Sequence, residues 1–378
     1  MKFLVVGAGN IGLIVASKIA ESASNEVILA DKDTGRKSLL SRIPNNERID
    51  FEKIDIDRQD EARKIIRSSD ILIGALPGSL GLKLIKLAIS EKKSTVDVSY
   101  MDSDPFSVDA DAKKSDVIIV PDCGIAPGLS NMIVGNSVKQ LEEVRSVRIL
   151  VGGLPLKKFP PLDYNLTWST EGLIDEYTRP ASIIQDGHIK QVDALSGLET
   201  VNMQNLGQFE AFYTDGLRTL LKTIKNPGEM WEKTLRYPGH VEKIRTIREL
   251  GYFDKEYVKI GSESIRPFDL SVKLFDKSLK RDDIHDKLIM NVEVKGVKNE
   301  ESRTISWSVY DEYDDKYNMS AMSRTTAFPP AIMAEIISEK LVKERGIVPP
   351  EIIGMDDGIF RRMIGELSNE GIKIEGHS

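Results

Sequence analysis

The chain begins MKFLVVGAGNIGLIVASKI, and the segment that most restricts its fold is GAGNIG, Gly7 to Gly12. Lys2 to Val6 is a nearly unbroken apolar run, as a strand covered on both faces of a parallel sheet requires. Ile11, Val15 and Ile19 then recur at helical spacing, with Ile14 and Ala16 beside them. Strand, glycine turn and helix in that order make a phosphate cradle. Gly7 permits the tight turn, Gly9 lets backbone approach a pyrophosphate, and Gly12 allows close helix-strand packing, while the helix N-terminus offers oriented N–H donors to the anion. A second strand, Glu26 to Ala30, ends in Asp31, about twenty residues on, where a carboxylate accepts hydrogen bonds from the ribose hydroxyls of NAD. Three glycines at this spacing also arise by chance. The order strand, turn, helix, strand, Asp favours the dinucleotide.

The alternation continues. FEKIDID ends a third strand at Ile54 and sets Asp55 and Ile56 where an adenine would lie. Ile71 to Gly74 is a fourth strand, followed by the loop Ala75-Leu76-Pro77-Gly78 and a helix from Leu80 to Ser90. Thr95 to Val98 and Val117 to Val120 complete the series. Such alternation implies a doubly wound parallel sheet with ligands at the carboxyl ends of its strands. The informative loops are therefore ALPG, DVSY and PDCG. Each also has a plain reading: Pro77 and Gly78 punctuate a turn, and Asp97 caps a helix. Asp31 repels a 2'-phosphate and so favours NAD over NADP, with Lys32 and Arg36 close enough in sequence to soften that preference.

At 378 residues the chain can form two domains, each with its own core. Beyond Pro121 the texture changes. VRSVRILVGGLP, YNLTWST and ISWSVYDEY have the β-branched and aromatic content of strands in a mixed sheet, with helices expected at Asp215 to Thr223 and His240 to Leu250. We expect a Rossmann domain over 1–124 and an α+β substrate and dimerisation domain over 125–320. A helical tail over 321–378, with AIMAEIISEKLV and DDGIFRRMIGELSNEG as its helices, is expected to return to the first domain.

A net charge of -7 argues against nucleic acid or an anionic membrane as a partner, since these usually call for a basic face. No apolar run approaches the ~18 residues of a membrane span, and the opening residues do not read as a secretory signal. A lone cysteine, Cys123, rules out an intrachain disulfide and suits a reducing cytoplasm, and the four scattered histidines predict no metal site. An amino-acid substrate needs a cation for its carboxylate and a carboxylate for its ammonium. Arg179 suits the first role and Asp122 the second. Arg179 is equally readable as a surface ion pair, and His240 as a satisfied structural histidine.

Taken in order, GAGNIG, GALPGSLG, VDVSYM, PDCGIAPGLSN, VGGLP, YNLTWSTEGLIDEYTRPA, YPGH and MSRTTAF resemble the motifs of the saccharopine dehydrogenase-like superfamily, and within it the L-lysine 6-dehydrogenases. The resemblance runs nearly end to end. It implies a Rossmann domain, an α/β catalytic and dimerisation domain, a homodimer, and NAD-dependent oxidation at the ε-amino carbon of lysine. The product would be aminoadipate semialdehyde, which cyclises to a piperideine carboxylate. By position it places cofactor contacts at Gly7, Gly9, Asn10, Ile11, Gly12, Asp31, Asp55, Ile56, Ala75, Leu76 and Pro77. Substrate-side contacts fall at Ser99, Tyr100, Asp122, Cys123, Gly124, Thr170 and Arg179. Cys123 departs from the usual small or polar residue and reads as packing.

The chemistry then expected is hydride transfer from the carbon bearing the amine. An ammonium cannot push electrons into a forming imine, so a base must first take its proton. Asp122 is the first candidate, with Tyr100 or His240 as relay or alternative. A saccharopine- or carboxynorspermidine-type reductase would use the same fold on a larger substrate and want more cations than Arg179 and Arg324. A dinucleotide sensor without chemistry is a third reading, and the polar WSTEGLIDEYTRP block counts against it.

Overall fold

A computed structural model of the chain describes residues 1–203, 205–281 and 285–377. The first stretch alternates strongly: β1 (Lys2–Val6), α1 (Asn10–Ile19), β2 (Glu26–Asp31), β3 (Ile49–Lys53), α2 (Gln59–Arg67), β4 (Ile71–Gly74) and α3 (Gly78–Ser90). It continues with β5 (Ser94–Asp97), α4 (Asp109–Lys114), β6 (Ile118–Val120) and α5 (Leu129–Val138). The middle holds β7 (Glu143–Pro155), α6 (Thr170–Thr178), β8 (Ala181–Gln185), β9 (His188–Val192), β10 (Glu199–Met203), β11 (Gly207–Tyr213) and α7 (Leu220–Thr223). Next come β12 (Glu229–Arg236), α8 (His240–Glu249), β13 (Val258–Ile260), β14 (Glu263–Ile265), α9 (Pro267–Leu279), β15 (Asp286–Lys298) and β16 (Glu301–Glu312). The tail is α10 (Ala321–Ser338), β17 (Gly346–Ile347), α11 (Pro350–Gly354), α12 (Asp357–Asn369) and β18 (Lys373–His377).

Two compact units result. One comprises 1–140, 315–319 and 323–372; the other comprises 141–314, 320–322 and 373–378. Among the described residues no helix is long and apolar enough to cross a membrane.

The first unit is a seven-stranded sheet in the order β17-β6-β5-β4-β1-β2-β3, every pair parallel. Six of these strands have the order of a Rossmann fold, and β17 extends the β6 edge. Covering both faces accounts for the unbroken apolar strands: Leu4 and Val6 join a cluster with Ile28, Leu72, Leu84 and Ile66, while Phe3 and Val5, pointing the other way, are equally inaccessible. Of the tail, α11 lies directly on α5. Gly135 permits this, because a Cβ there would stand 1.9 Å from the Glu351 carbonyl oxygen.

The second unit is a mixed nine-stranded sheet, β10-β11-β12-β7-β15-β16-β18, with the β8–β9 hairpin on β12. Among the described residues of this sheet only β12 and β7 run parallel. Leu162, Tyr164, Leu173, Ile174, Tyr177, Phe212, Val241, Ile244, Phe275 and Leu279 form its main core, drawn largely from α6, α8, α9 and the preceding loop. Two local expectations fail here. YNLTWST is loop rather than strand, anchored by the Leu166 N–H to the Leu279 carbonyl (2.9 Å) and the Trp168 indole to the Tyr164 hydroxyl (3.0 Å). The helix expected at 215–223 shrinks to α7, because Arg218 sits at φ +51° and breaks the helical path.

Residues 232, 234 and 236 of β12 form a buried polar ladder: Glu232, Thr234 and Arg236 are each under 7% exposed. Arg236 donates to Glu176 (2.8 Å) and lies 4.7 Å over the Tyr164 ring. Glu232 is pushed up to about 8 by burial and by Asp215 and Glu176, with Arg218 partly offsetting them.

Two tests follow from this packing. Alanine normally stabilises a helix interior relative to glycine by ~1 kcal/mol. Against the α11 backbone the sign reverses, so Gly135→Ala lowers unfolding free energy by roughly 1–3 kcal/mol in denaturant titration. For Glu232, the native state binds the extra proton between about 4.5, the unfolded value, and about 8. Its contribution is therefore fully present below the unfolded value and is lost as pH rises through the folded one. Glu232→Gln is expected to gain in melting temperature relative to the parent as pH rises from 5 to 9; a difference that stays constant across that range removes the burial argument.

Candidate functional site

The carboxyl ends of β1, β4, β5 and β6 are tied together by their own backbone. Gly7, at φ +111°, donates to the Ala30 carbonyl, and Ala75 donates to the Val6 carbonyl, both at 2.8 Å. The turn has no room for side chains: a Cβ on Gly7 would meet the Ala75 oxygen at 2.3 Å, and one on Gly12 the Gly7 oxygen at 1.8 Å. A Cβ on Gly9 would meet nothing closer than an Arg36 guanidinium nitrogen at 3.7 Å, leaving that face of the turn open to a pyrophosphate. Helix α1 starts at Asn10 with no side-chain cap from Gly9, so the positive end of its dipole lies at this turn, where an anion is favoured. Asn10 is exposed and Ile11 half-buried on this edge.

At the end of β2, Asp31 accepts from the Ala8 N–H (2.8 Å) and the Asp33 N–H (2.9 Å). Arg36 lies 3.8 Å from the same carboxylate. Asp55 closes its own turn onto the Asp57 N–H (3.0 Å), and Ile56 is buried in the core beside Leu76 and Leu80. Pro77 is exposed at the head of α3, with Ala75 and Leu76 half-buried behind it. The cradle, the acidic β2 end and the open glycine face fit a nicotinamide dinucleotide.

The next loops continue the chain of contacts. Val98 donates to the Gly74 carbonyl and Cys123 to the Asp97 carbonyl, both at 2.9 Å. Gly78 sits directly under Tyr100, where a Cβ would be 2.2 Å from the Tyr100 oxygen. Asp97, inaccessible to solvent, accepts from the Ser99 N–H at 2.9 Å and from its hydroxyl at 3.2 Å. Burial pushes its carboxyl up to about 7; the Ser99 hydrogen bonds work against this, and the charge of Asp122 adds to it. Asp122 is buried at 2% exposure and holds φ +52°, a left-handed conformation tolerated by Asp and associated with strained functional loops. Burial, with Asp122 and Asp97 close by, pushes the Cys123 thiol up, so no thiolate forms there near neutrality. Gly124 completes the loop, its N–H on the Pro127 carbonyl at 3.0 Å.

The first unit thus gathers Gly7 to Gly12, Asp31, Ala75 to Pro77, Ser99, Tyr100 and Asp122 to Gly124 along one sheet edge. Three further candidates lie in the second unit. Thr170 is buried and donates to Asp276. Arg179 stands 3.6 Å from Asp175 and 3.9 Å from Asp215. His240 opens α8 with both ring nitrogens engaged, Nδ1 with the Leu162 carbonyl (2.9 Å) and Nε2 with the Tyr177 hydroxyl (2.8 Å). Burial and Arg236 push it down to about 3, so the ring is neutral. Asp97 belongs to the DVSY loop expected on the ligand side, with a helix cap as its plain reading, and the sequence does not show that it is buried. What reveals it is the pair of glycines, Gly74 and Gly81, whose missing side chains make its slot.

Comparison with known proteins agrees with the fold. Residues 3–120 match the model described as "Saccharopine dehydrogenase NADP binding domain", and residues 124–372 match "Saccharopine dehydrogenase C-terminal domain". Among curated proteins, the chain is 22% identical to the mitochondrial alpha-aminoadipic semialdehyde synthase of Rattus norvegicus, over 68% of this chain and 29% of that protein. It is 21% identical to the saccharopine dehydrogenase [NADP(+), L-glutamate-forming] of Schizosaccharomyces pombe, over 67% of this chain and 58% of the relative. The chain therefore spans less than two thirds of those relatives' length. A carboxyaminopropylagmatine dehydrogenase of Synechocystis sp. is 20% identical over 97% of this chain and 96% of its own. Apo saccharopine dehydrogenase (L-Glu forming) from Saccharomyces cerevisiae shares the fold, with a TM-score of 0.80, 16% identity and full coverage of both chains. With both family models matched across most of its length, the chain belongs to the saccharopine dehydrogenase family.

Proposed function

We propose that the protein is a nicotinamide-dinucleotide-dependent oxidoreductase acting on the carbon–nitrogen bond of an amino acid, and that its reaction is oxidative deamination of the ε-amino group of lysine. The observation that carries the reading is the pair of buried carboxyls, Asp97 and Asp122, on the sheet edge that also carries the glycine cradle. A bound nicotinamide supplies a hydride acceptor. The protein must supply the proton acceptor and the positioning. Asp122 takes a proton from the substrate ammonium, which leaves a neutral amine whose lone pair drives hydride loss from the adjacent carbon. Water adds to the resulting iminium carbon, and ammonium departs as the aldehyde forms. Tyr100, one residue beyond Ser99 on the neighbouring loop, is the relay we assign. His240, neutral and engaged at both nitrogens, is assigned a supporting role in its own core.

A second reading, reductive joining of an amine to an aldehyde, has support in the end-to-end match to the carboxyaminopropylagmatine dehydrogenase. It calls for cations to receive additional carboxylates. Arg179 lies beside Asp175 and Asp215, and Arg324 donates to the Glu370 carbonyl, which favours the smaller substrate.

Cofactor choice rests on Asp31 and Arg36. A carboxylate at the β2 end favours the unphosphorylated ribose of NAD, and Arg36 beside the glycine turn admits a 2'-phosphate. We assign NAD as the cofactor, with NADP accepted through Arg36.

Three outcomes check this reading. Incubated at alkaline pH with NAD and a panel of amino acids, the protein gives an NADH absorbance signal with lysine. A signal only in reverse, from an aldehyde plus an amine, moves the assignment to the reductases. Asp122→Asn binds NADH normally by fluorescence but loses turnover by roughly 100-fold or more; wild-type turnover in the folded variant removes Asp122 from the base role. Arg36→Ala lowers kcat/KM with NADP by roughly 10-fold, the loss of one charge-assisted contact, and leaves that with NAD nearly unchanged.

A further inference from the structure

Within the second unit, the segment between β11 and β12 closes over a buried carboxyl. Glu232, on β12, is 3% exposed, and a Cβ on Gly216 would lie 1.5 Å from its Oε1 and 2.0 Å from its Cδ. The acid fills the space that a side chain at 216 would need. Backbone fixes this approach: the Thr214 N–H donates to the Glu232 carbonyl at 3.2 Å, and the Thr214 and Thr234 hydroxyls meet at 3.0 Å. Yet among the described residues Glu232 Oε2 receives no hydrogen bond. The same segment and strand bury two more polar atoms without hydrogen-bond partners, the Thr219 hydroxyl and Arg236 Nε. Native interiors rarely leave such groups unmet, and each calls for an explanation.

Packing does not explain the acid. Glutamine has the same length and would fill the space above Gly216 without the cost of burying a charge. The charged groups that act on Glu232 are Asp215 on the same segment, Glu176 on α6 and Arg218, and the two acids together with burial outweigh the arginine. Arg218 is held at φ +51°, a backbone conformation that concentrates at functional sites, and lies 3.5 Å from Asp215. A ligand that meets Glu232 must therefore bring a hydrogen-bond donor and a positive charge, and it finds a guanidinium alongside. An ammonium next to a carboxylate suits both, and that is the head of an α-amino acid. No group of three or more His, Cys, Asp or Glu able to hold a metal ion occurs among the described residues, so the cation called for here is an organic one.

We propose that Glu232 is a specificity-determining residue, whose buried carboxyl, beside Asp215, accepts the α-ammonium of the amino acid on which the protein acts. The proposal deepens the reading of the protein as an amino-acid oxidoreductase and rests on it. In that reading the ε-nitrogen of lysine gives up its proton before hydride loss, whereas the α-nitrogen stays charged and needs a carboxylate. Binding exchanges one cation for another: the proton on Glu232 leaves to solvent as the ammonium arrives, so the ionised carboxyl is the form that binds.

Titration calorimetry of L-lysine into the parent at pH 7, in buffers of different ionisation enthalpy, should show about one proton released per ligand, because Glu232 titrates at about 8. Affinity should rise roughly tenfold between pH 6 and 7 as the ionised share of Glu232 grows. Glu232→Gln, its folding checked by melting temperature, should bind lysine roughly tenfold more weakly and release no proton. In turnover its KM for lysine should rise by the same factor while kcat stays within about threefold, since the α-ammonium does not react. 6-Aminohexanoate, which lacks the α-amine, should bind parent and variant alike. A folded variant with the parent's affinity and proton count overturns the assignment of Glu232 and leaves the dehydrogenase reading in place. A parent that binds no α-amino acid overturns it as well. Binding with proton release but no turnover of any amine removes the reaction and keeps Glu232 as the ammonium acceptor.

Discussion

The carbonyl of Ala75 stands where a side chain on residue 7 would have to be, and the carbonyl of Gly7 stands where one on residue 12 would be. Those two backbone approaches set how closely β1, α1 and β4 come together. The other loops of this sheet edge are then placed by strand register and by single main-chain hydrogen bonds, from Val98 to Gly74 and from Cys123 to Asp97. A dinucleotide cradle and two buried carboxyls are thus assembled largely by backbone, with the Asp31 and Asp97 carboxylates closing on the N–H groups of Ala8 and Ser99.

Much of this frame is legible in the sequence. The β1–β6 strands lie within a residue or two of where apolar runs and turn residues put them, because a parallel sheet covered on both faces leaves a strong, continuous signal. Asp31 follows from its offset to the glycines. Other features resist such reading for identifiable reasons. Asp97 looks like a cap because its slot is made by absences at Gly74 and Gly81, in distant segments. YNLTWST has strand-like residues, yet its aromatic groups serve a core under α8 and α9 rather than a sheet. The polar ladder of β12 alternates with Trp231, Lys233 and Leu235, which are buried as well, so both faces of the strand are covered and its polar residues do not mark a solvent side.

The two units solve opposite electrostatic problems. In the second, Arg236 and Glu176 compensate one another inside the core, with Tyr164 and a neutral His240 around them, an arrangement that costs desolvation and gives geometric definition. In the first, Asp97 and Asp122 are both buried at the ends of neighbouring strands, and burial together with the charge of Asp122 pushes Asp97 up to about 7.

Neither unit is a continuous length of polypeptide. The seven-stranded sheet takes its last strand, β17, from a segment some two hundred residues after β6, while β18, the final strand, belongs to the other sheet. Cutting the gene after residue 140 would leave β6 with a bare row of amides and carbonyls, a template for pairing with stray chains. The nucleotide-binding half therefore cannot be lifted out as a module by simple truncation. An engineer wanting it alone would have to graft 323–372 behind 140 through a new linker, restoring the missing edge before asking the fragment to bind anything.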